Sequence, residues 1–214
     1  MSFPSVFVSH GAPSLLLEPE QPAYRFLRTF GVELGRPAAI LVVSAHWETT
    51  LPTLTSAPRL ETIHDFGGFD PALYAMRYQP PGARELGVQA RALLEGAGFD
   101  PRLDPKRGID HGGWVPLMLM YPEADVPVVQ LSVQSRLSAA HHHRLGQALR
   151  PLREEGVLIL ASGSLTHNLR AAFHWVPGTP TPAPVNAFSA WVADTLTGPR
   201  PNDLLEYERQ APEA

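Results

Sequence analysis

Nine histidines and no cysteine bound the chemistry open to this 214-residue chain. Three apolar, strand-like runs each lead through small residues into one of those histidines. They are Val6-Phe7-Val8-Ser9-His10, Ile40-Leu41-Val42-Val43-Ser44-Ala45-His46 and, with a longer exit, Leu158-Ile159-Leu160-Ala161-Ser162-Gly163-Ser164-Leu165-Thr166-His167. In open α/β sheets, ligands bind in the crevice outside the carboxyl ends of the strands. Histidines delivered there from distant parts of the chain predict one imidazole-rich pocket. Neutral imidazole is the commonest protein metal ligand and suits zinc, copper, iron and nickel, so a metal is the simplest occupant. His10 and His46 follow their strands directly and are the first ligand candidates. Two imidazoles are also the nitrogen part of the two-histidine, one-carboxylate site of non-haem iron(II) oxygenases. His167 stands among small polar residues and suits three roles equally: third ligand, acid/base group, or first-turn residue of a helix capped by Ser164 or Thr166.

The remaining histidines divide by context. His111 lies between Asp110 and the pair Gly112-Gly113; glycines let backbone approach a ligand, and a neighbouring carboxylate can orient an imidazole. His64, in Ile63-His64-Asp65-Phe66, has similar surroundings, and either residue can serve as a general base near neutral pH. His141-His142-His143 cannot share one ion, because consecutive helical residues point in different directions, and they read as a solvated helix face. His174, beside Trp175, is a candidate for the pocket wall. A serine hydrolase is disfavoured, since Ala161-Ser162-Gly163-Ser164-Leu165 is not a nucleophile elbow. No phosphate-binding glycine loop is present.

The elements that must position these residues alternate strand and helix, which predicts an α/β sandwich, a mostly parallel sheet with helices on both faces, in a single domain over residues 1–214. Strands are expected up to His10 and over 38–45, 126–133 and 157–161. Helices are expected over 22–30, 84–96, 115–121, 141–153 and 186–196, with Ser138 as a cap. Residues 62–81 read as a long aromatic, glycine-rich loop of the kind that carries function. Charged residues are a lean 18% and the net charge is −4, so nothing resembles the basic stripe of a nucleic-acid binder. The absence of cysteine removes disulfides and thiolate sites. Without a signal-like start or a membrane-length apolar run, a cytoplasmic enzyme is expected, as monomer or homodimer.

Five motifs together resemble one family. Val8-Ser9-His10-Gly11-Ala12-Pro13-Ser14, Val43-Ser44-Ala45-His46-Trp47, Thr62-Ile63-His64-Asp65-Phe66-Gly67-Gly68-Phe69, Asp110-His111-Gly112-Gly113-Trp114 and Ala161-Ser162-Gly163-Ser164-Leu165-Thr166-His167-Asn168-Leu169 run in the order found in class III extradiol ring-cleaving dioxygenases. The branch is that of the DOPA 4,5-dioxygenases. The resemblance implies a metal-dependent enzyme that inserts O2 into a catechol-type aromatic and opens the ring beside the diol. The metal would be iron(II) for activity, with zinc(II) also found in the branch. It implies His10 and His46 as metal ligands, His167 as ligand or catalytic residue, His111 as an acid/base residue, and His64 in a motif lining the pocket. From the residues alone, Trp47, Phe66, Phe69, Tyr74 and Trp114 could wall an aromatic pocket or equally be core, the more frequent fate of aromatics, and Arg77 or Arg170 could hold a substrate carboxylate. Family members continue beyond the equivalent of Ala214 through a segment with a further metal-site histidine. Here no histidine follows His174, so the chain is expected to fall short of the family's full length. The readings set against this one are a non-catalytic relative with an incomplete site and a zinc-dependent hydrolase.

Overall fold

A computed structural model describes residues 2–168 and 179–212. Arg170, His174 and Trp175 lie outside the described residues. The chain forms two compact units, Met1–Arg136 with Arg144–Gly163, and Leu137–His143 with Ser164–Ala214.

The first unit carries a six-stranded sheet. In chain order the strands are β1 (Ser5–Ser9), β2 (Ala39–Glu48), β3 (Thr53–Thr55), β4 (Arg102–Asp104), β5 (Val128–Val133) and β6 (Val157–Gly163). Across the sheet they run β1-β6-β2-β5-β3-β4. All pairings are parallel except β3 with β5, which meet antiparallel at Leu54 and Leu131.

The apolar runs are apolar on both faces because both faces are covered. Ile40 and Val42 of β2 join Val8, Val128, Leu158 and Leu160 on one face. There they pack with Leu27 of α1 (Pro22–Leu34) and with Trp114 and Leu117 of α4 (His111–Met120). Leu41, between them in sequence, joins Val129, Leu131 and Val157 on the other face. That layer holds Leu86, Ala90 and Leu94 of α3 (Arg84–Gly96) with Leu145 and Leu149 of α5 (Ala139–Leu149). Alternating burial against two helical layers is what a parallel sheet demands of its strands. The expected α/β class, mostly parallel sheet and two-sided helix cover are all present.

Several boundaries differ from expectation. β2 runs on to Glu48, so His46 lies within the strand, at an irregularity. Between Val43 and Glu48 the pairing advances five residues on β2 while β5 advances two. Such bulges bend a strand and re-aim its side chains. α4 starts at His111, ahead of the expected 115, because its first turn is built from Gly112 and Gly113. β3 and β4 have three residues each, too few to show a period. The long loop holds a short helix, α2 (Pro71–Ala75), capped by the Asp70 carboxylate accepting from the Ala72 N–H at 2.8 Å. Ser138 does cap α5, its hydroxyl accepting from the His141 N–H at 3.3 Å. In the second unit, α6 (Ala183–Thr197) is followed by a 3-10 turn at Pro201–Glu206 and α7 (Tyr207–Gln210).

Candidate metal centre

The strand order decides which histidines meet. β1 and β2 flank β6, with Val8 and Ser44 both in register with Ser162. His10, just past β1, and His46, late in β2, are thereby brought together across the end of β6. Their Nε2 atoms stand 3.0 Å apart. His111, at the first position of α4, completes the group, its ring centroid 3.9 Å from that of His46 and 5.3 Å from that of His10. One ligand nitrogen from each of the three lies within 4.8 Å of the others; His10 and His111 are buried and His46 is exposed. The group is thus buried at two of its residues and reaches solvent at His46.

The hydrogen bonds behind the rings set their tautomers. Pro116 has no N–H, so the Gly112 carbonyl one turn earlier receives no helical hydrogen bond from it. The Ser162 hydroxyl donates to that carbonyl instead. With its proton committed, the Ser162 oxygen accepts from His10 Nδ1–H at 2.9 Å, which leaves the His10 lone pair on Nε2, facing His46. On the other side, the Asp65 Oδ1 accepts from both the backbone N–H of His111, at 3.0 Å, and its Nδ1–H, at 2.9 Å. His111 likewise keeps its lone pair on Nε2. Burial alone would raise the Asp65 carboxyl, but the hydrogen bonds from the His111 ring and backbone outweigh it and hold the group below the usual carboxylate range.

The donor set fits a divalent metal. Two nitrogens each about 2.1 Å from one tetrahedral ion stand about 3.4 Å apart, close to the observed approach of His10 and His46. Carboxylate- and hydroxyl-backed imidazoles are the usual second layer of such sites. The triad can hold a metal ion.

His64 is not in the triad: its Nε2–H donates to the Met76 carbonyl at 3.1 Å. It belongs to an aromatic wall, its ring centroid 5.7 Å from both Phe66 and Trp114. Phe66 meets His111 edge-on at 5.6 Å and also contacts Phe69 and Tyr74, so the wall reaches the triad. Trp114 and Trp47 are core residues, buried, and the Trp114 indole N–H donates to the Ile63 carbonyl at 2.9 Å. Arg77 donates to the carbonyls of Tyr74, at 2.6 Å, and Met76, at 2.8 Å, and so closes the end of α2. His167 is exposed and belongs to the second unit. His141, His142 and His143 are half-buried along α5, and among the described residues none joins the triad. The carboxylate that orients His111 is Asp65, not its chain neighbour Asp110. Asp65 and Ser162 are the supporting residues that spacing could not reveal, since they lie 46 and 152 positions from the histidines they hold. The motifs around His64 and His167 did contain them.

Fold and site together define an α/β protein with a histidine triad, able to take a metal, at the carboxyl ends of its strands. Residues 4–214 match the model of the family described as the catalytic LigB subunit of aromatic ring-opening dioxygenase. A 4,5-DOPA dioxygenase extradiol from Beta vulgaris is 46% identical over 216 residues, covering 96% of this chain and 77% of that protein. One from Escherichia coli K12 is 42% identical, covering 95% and 75%. A crystal structure of an uncharacterized protein from Escherichia coli K12 superposes with a TM-score of 0.74 at 34% identity, over 90% of this chain and 74% of that one. The chain belongs to the LigB family and is an oxygenase acting on an aromatic ring.

Proposed function

We propose that the protein is an extradiol dioxygenase that opens a catechol-type substrate beside its two hydroxyls at the triad, with iron(II) held by His10 and His46. The observation that carries this reading is the meeting of three ring nitrogens within 4.8 Å beside an aromatic wall. Iron(II) bound there supplies Lewis acidity toward the catechol oxygens and a path for electrons from the ring to O2. Zinc(II) suits the same imidazoles but has no redox chemistry, so activity is assigned to iron.

The protein's part is proton transfer and packing. His111, with its lone pair on Nε2, takes a catechol proton, and the Asp65 carboxylate stabilises the imidazolium that results. The same residue returns the proton to the developing product, acting first as base and then as acid. Phe66, Phe69 and Tyr74 pack against the substrate ring and exclude water from it, and His64 belongs to this wall. His167 keeps the role implied by its motif, a further ligand or a second acid/base group. A cytoplasmic location is part of the same reading, and fractionation checks it.

The test is oxygen uptake by protein loaded anaerobically with iron(II), against a panel of catechols that starts with DOPA, the compound named in its relatives. Uptake with a new yellow chromophore, abolished in His46→Ala, is the expected result. No uptake despite bound iron would sink the reading. In His167→Ala, loss of iron would identify a ligand, and iron retained with kcat lost would identify an acid/base residue.

A further inference from the structure

Asp110 precedes His111 in the chain, yet its carboxylate makes no hydrogen bond to that ring. It is fully buried. Oδ1 accepts from the Ser44 hydroxyl at 2.6 Å. Oδ2 accepts from the Gln130 side-chain amide and from the Arg107 guanidinium, the latter at 3.2 Å. Arg107 in turn lies over the Trp47 ring, 5.0 Å from its centroid. The Ser44 oxygen, its proton given to Asp110, accepts from the backbone N–H of His46 at 3.1 Å. A single buried anion therefore ties together β2 at the irregularity that carries His46, β5 through Gln130, and the first turn of α4.

The fit between these parts is tight. A Cβ on Gly112 would collide with the Ser44 hydroxyl oxygen and would stand 2.9 Å from His46 Cδ2 and 3.3 Å from Asp110 Oδ1. The first turn of α4 thus packs directly on the residues that Asp110 holds. Burying a carboxylate is costly unless it is paired and hydrogen-bonded. Here every donor that satisfies it belongs to an element of the site or its immediate support.

We propose that Asp110 is the positioning residue of the triad. Through Ser44 it locks the backbone of His46 to the turn that carries His111, so that the imidazoles keep one spacing. The inference rests on the proposed reading of the triad, a metal held by His10 and His46 with His111 as the base beside it. An anchor that served the fold alone would change stability and leave metal binding as it was.

Cobalt(II), whose visible absorption reports the number and geometry of its ligands, separates the two. The full chain, Ser44→Ala and Asp110→Asn are each titrated with cobalt(II), and their unfolding midpoints are measured without metal. Ser44→Ala is expected to fold, to bind cobalt about tenfold more weakly and to show a shifted visible band, with Asp110→Asn weaker still; losses of about 10–100-fold are usual when a ligand's support is removed. If Asp110→Asn does not fold, Ser44→Ala alone decides. Unchanged affinity and spectrum in the folded variants, with only a lower midpoint, would overturn the proposal. Should the unsubstituted chain itself take up no cobalt, the metal reading of the triad fails, and this inference falls with it.

Discussion

Whether His111 works as a base or as a spectator depends on which of its nitrogens holds the proton, and that is settled by Asp65. An ionised carboxylate can only accept, so Nδ1 donates and Nε2 keeps the lone pair that the proposed base role needs. Asp65→Asn keeps the shape but can offer an amide N–H to the ring, which would turn the tautomer over. The expected outcome is a kcat lower by about 10–100-fold with iron content retained, measured by oxygen uptake alongside metal analysis. An unchanged kcat would mean that the proton moves through another group. At this scale the sequence shows which residues are ready for chemistry, since His10, His46 and His111 stand at the ends or turns of strongly patterned elements. It does not show their hydrogen-bond partners. Asp110 is the nearest carboxylate to His111 along the chain, and the backbone turns it away toward Ser44 and Gln130.

Elements transmit these demands through close contacts. α1 lies against the far end of α4, where a Cβ on Gly31 would stand 2.6 Å from the Met120 Cα and closer still to its carbonyl. The pair can approach that closely because residue 31 has no side chain. Gly31→Ala should push the helices apart and cost about 1–3 kcal/mol, read as a lower denaturation midpoint in urea. Met120 ends α4 and His111 begins it, about 14 Å apart along the helix, so cobalt binding by the folded variant should be unchanged. A destabilisation that also weakened cobalt binding would show that α4 passes strain along its length. Element types were legible because apolar runs and helical spacing are local signals; α3 occupies the span its pattern predicts, Arg84–Gly96. β3 and β4 were not, because three residues carry no period and their pairing is supplied by β5 and by each other.

At the scale of the whole molecule, two buried tyrosines make stability sensitive to high pH. Burial, helped by the charge of Asp125, pushes the Tyr78 hydroxyl well above its ordinary value, and burial pushes Tyr121 up to about 12. Tyr78 donates to the Tyr121 carbonyl and Tyr121 to the Gly35 carbonyl, each at 3.1 Å. A tyrosine ionises near 10 in the unfolded chain. A folded value raised above that contributes stability fully present below pH 10 and lost as the pH climbs through the folded value. The unfolding midpoint should therefore fall steeply between pH 10 and 12, and Tyr78→Phe should flatten that fall; an equally steep fall in the variant would assign the loss to other groups. What the sequence determined by itself was the longer elements (β1, β2, β5, β6 and the five main helices), the histidines at their ends and the motifs of the LigB family, because burial pattern, turn chemistry and residue type are written locally. Only the tertiary structure decided that β6 would lie between β1 and β2, bringing His10 and His46 within 3.0 Å, and that Asp65 rather than Asp110 would back His111. Strand order and hydrogen-bond partners are chosen by contacts between residues far apart in the chain, and a local pattern that says a strand is buried does not say beside which neighbour.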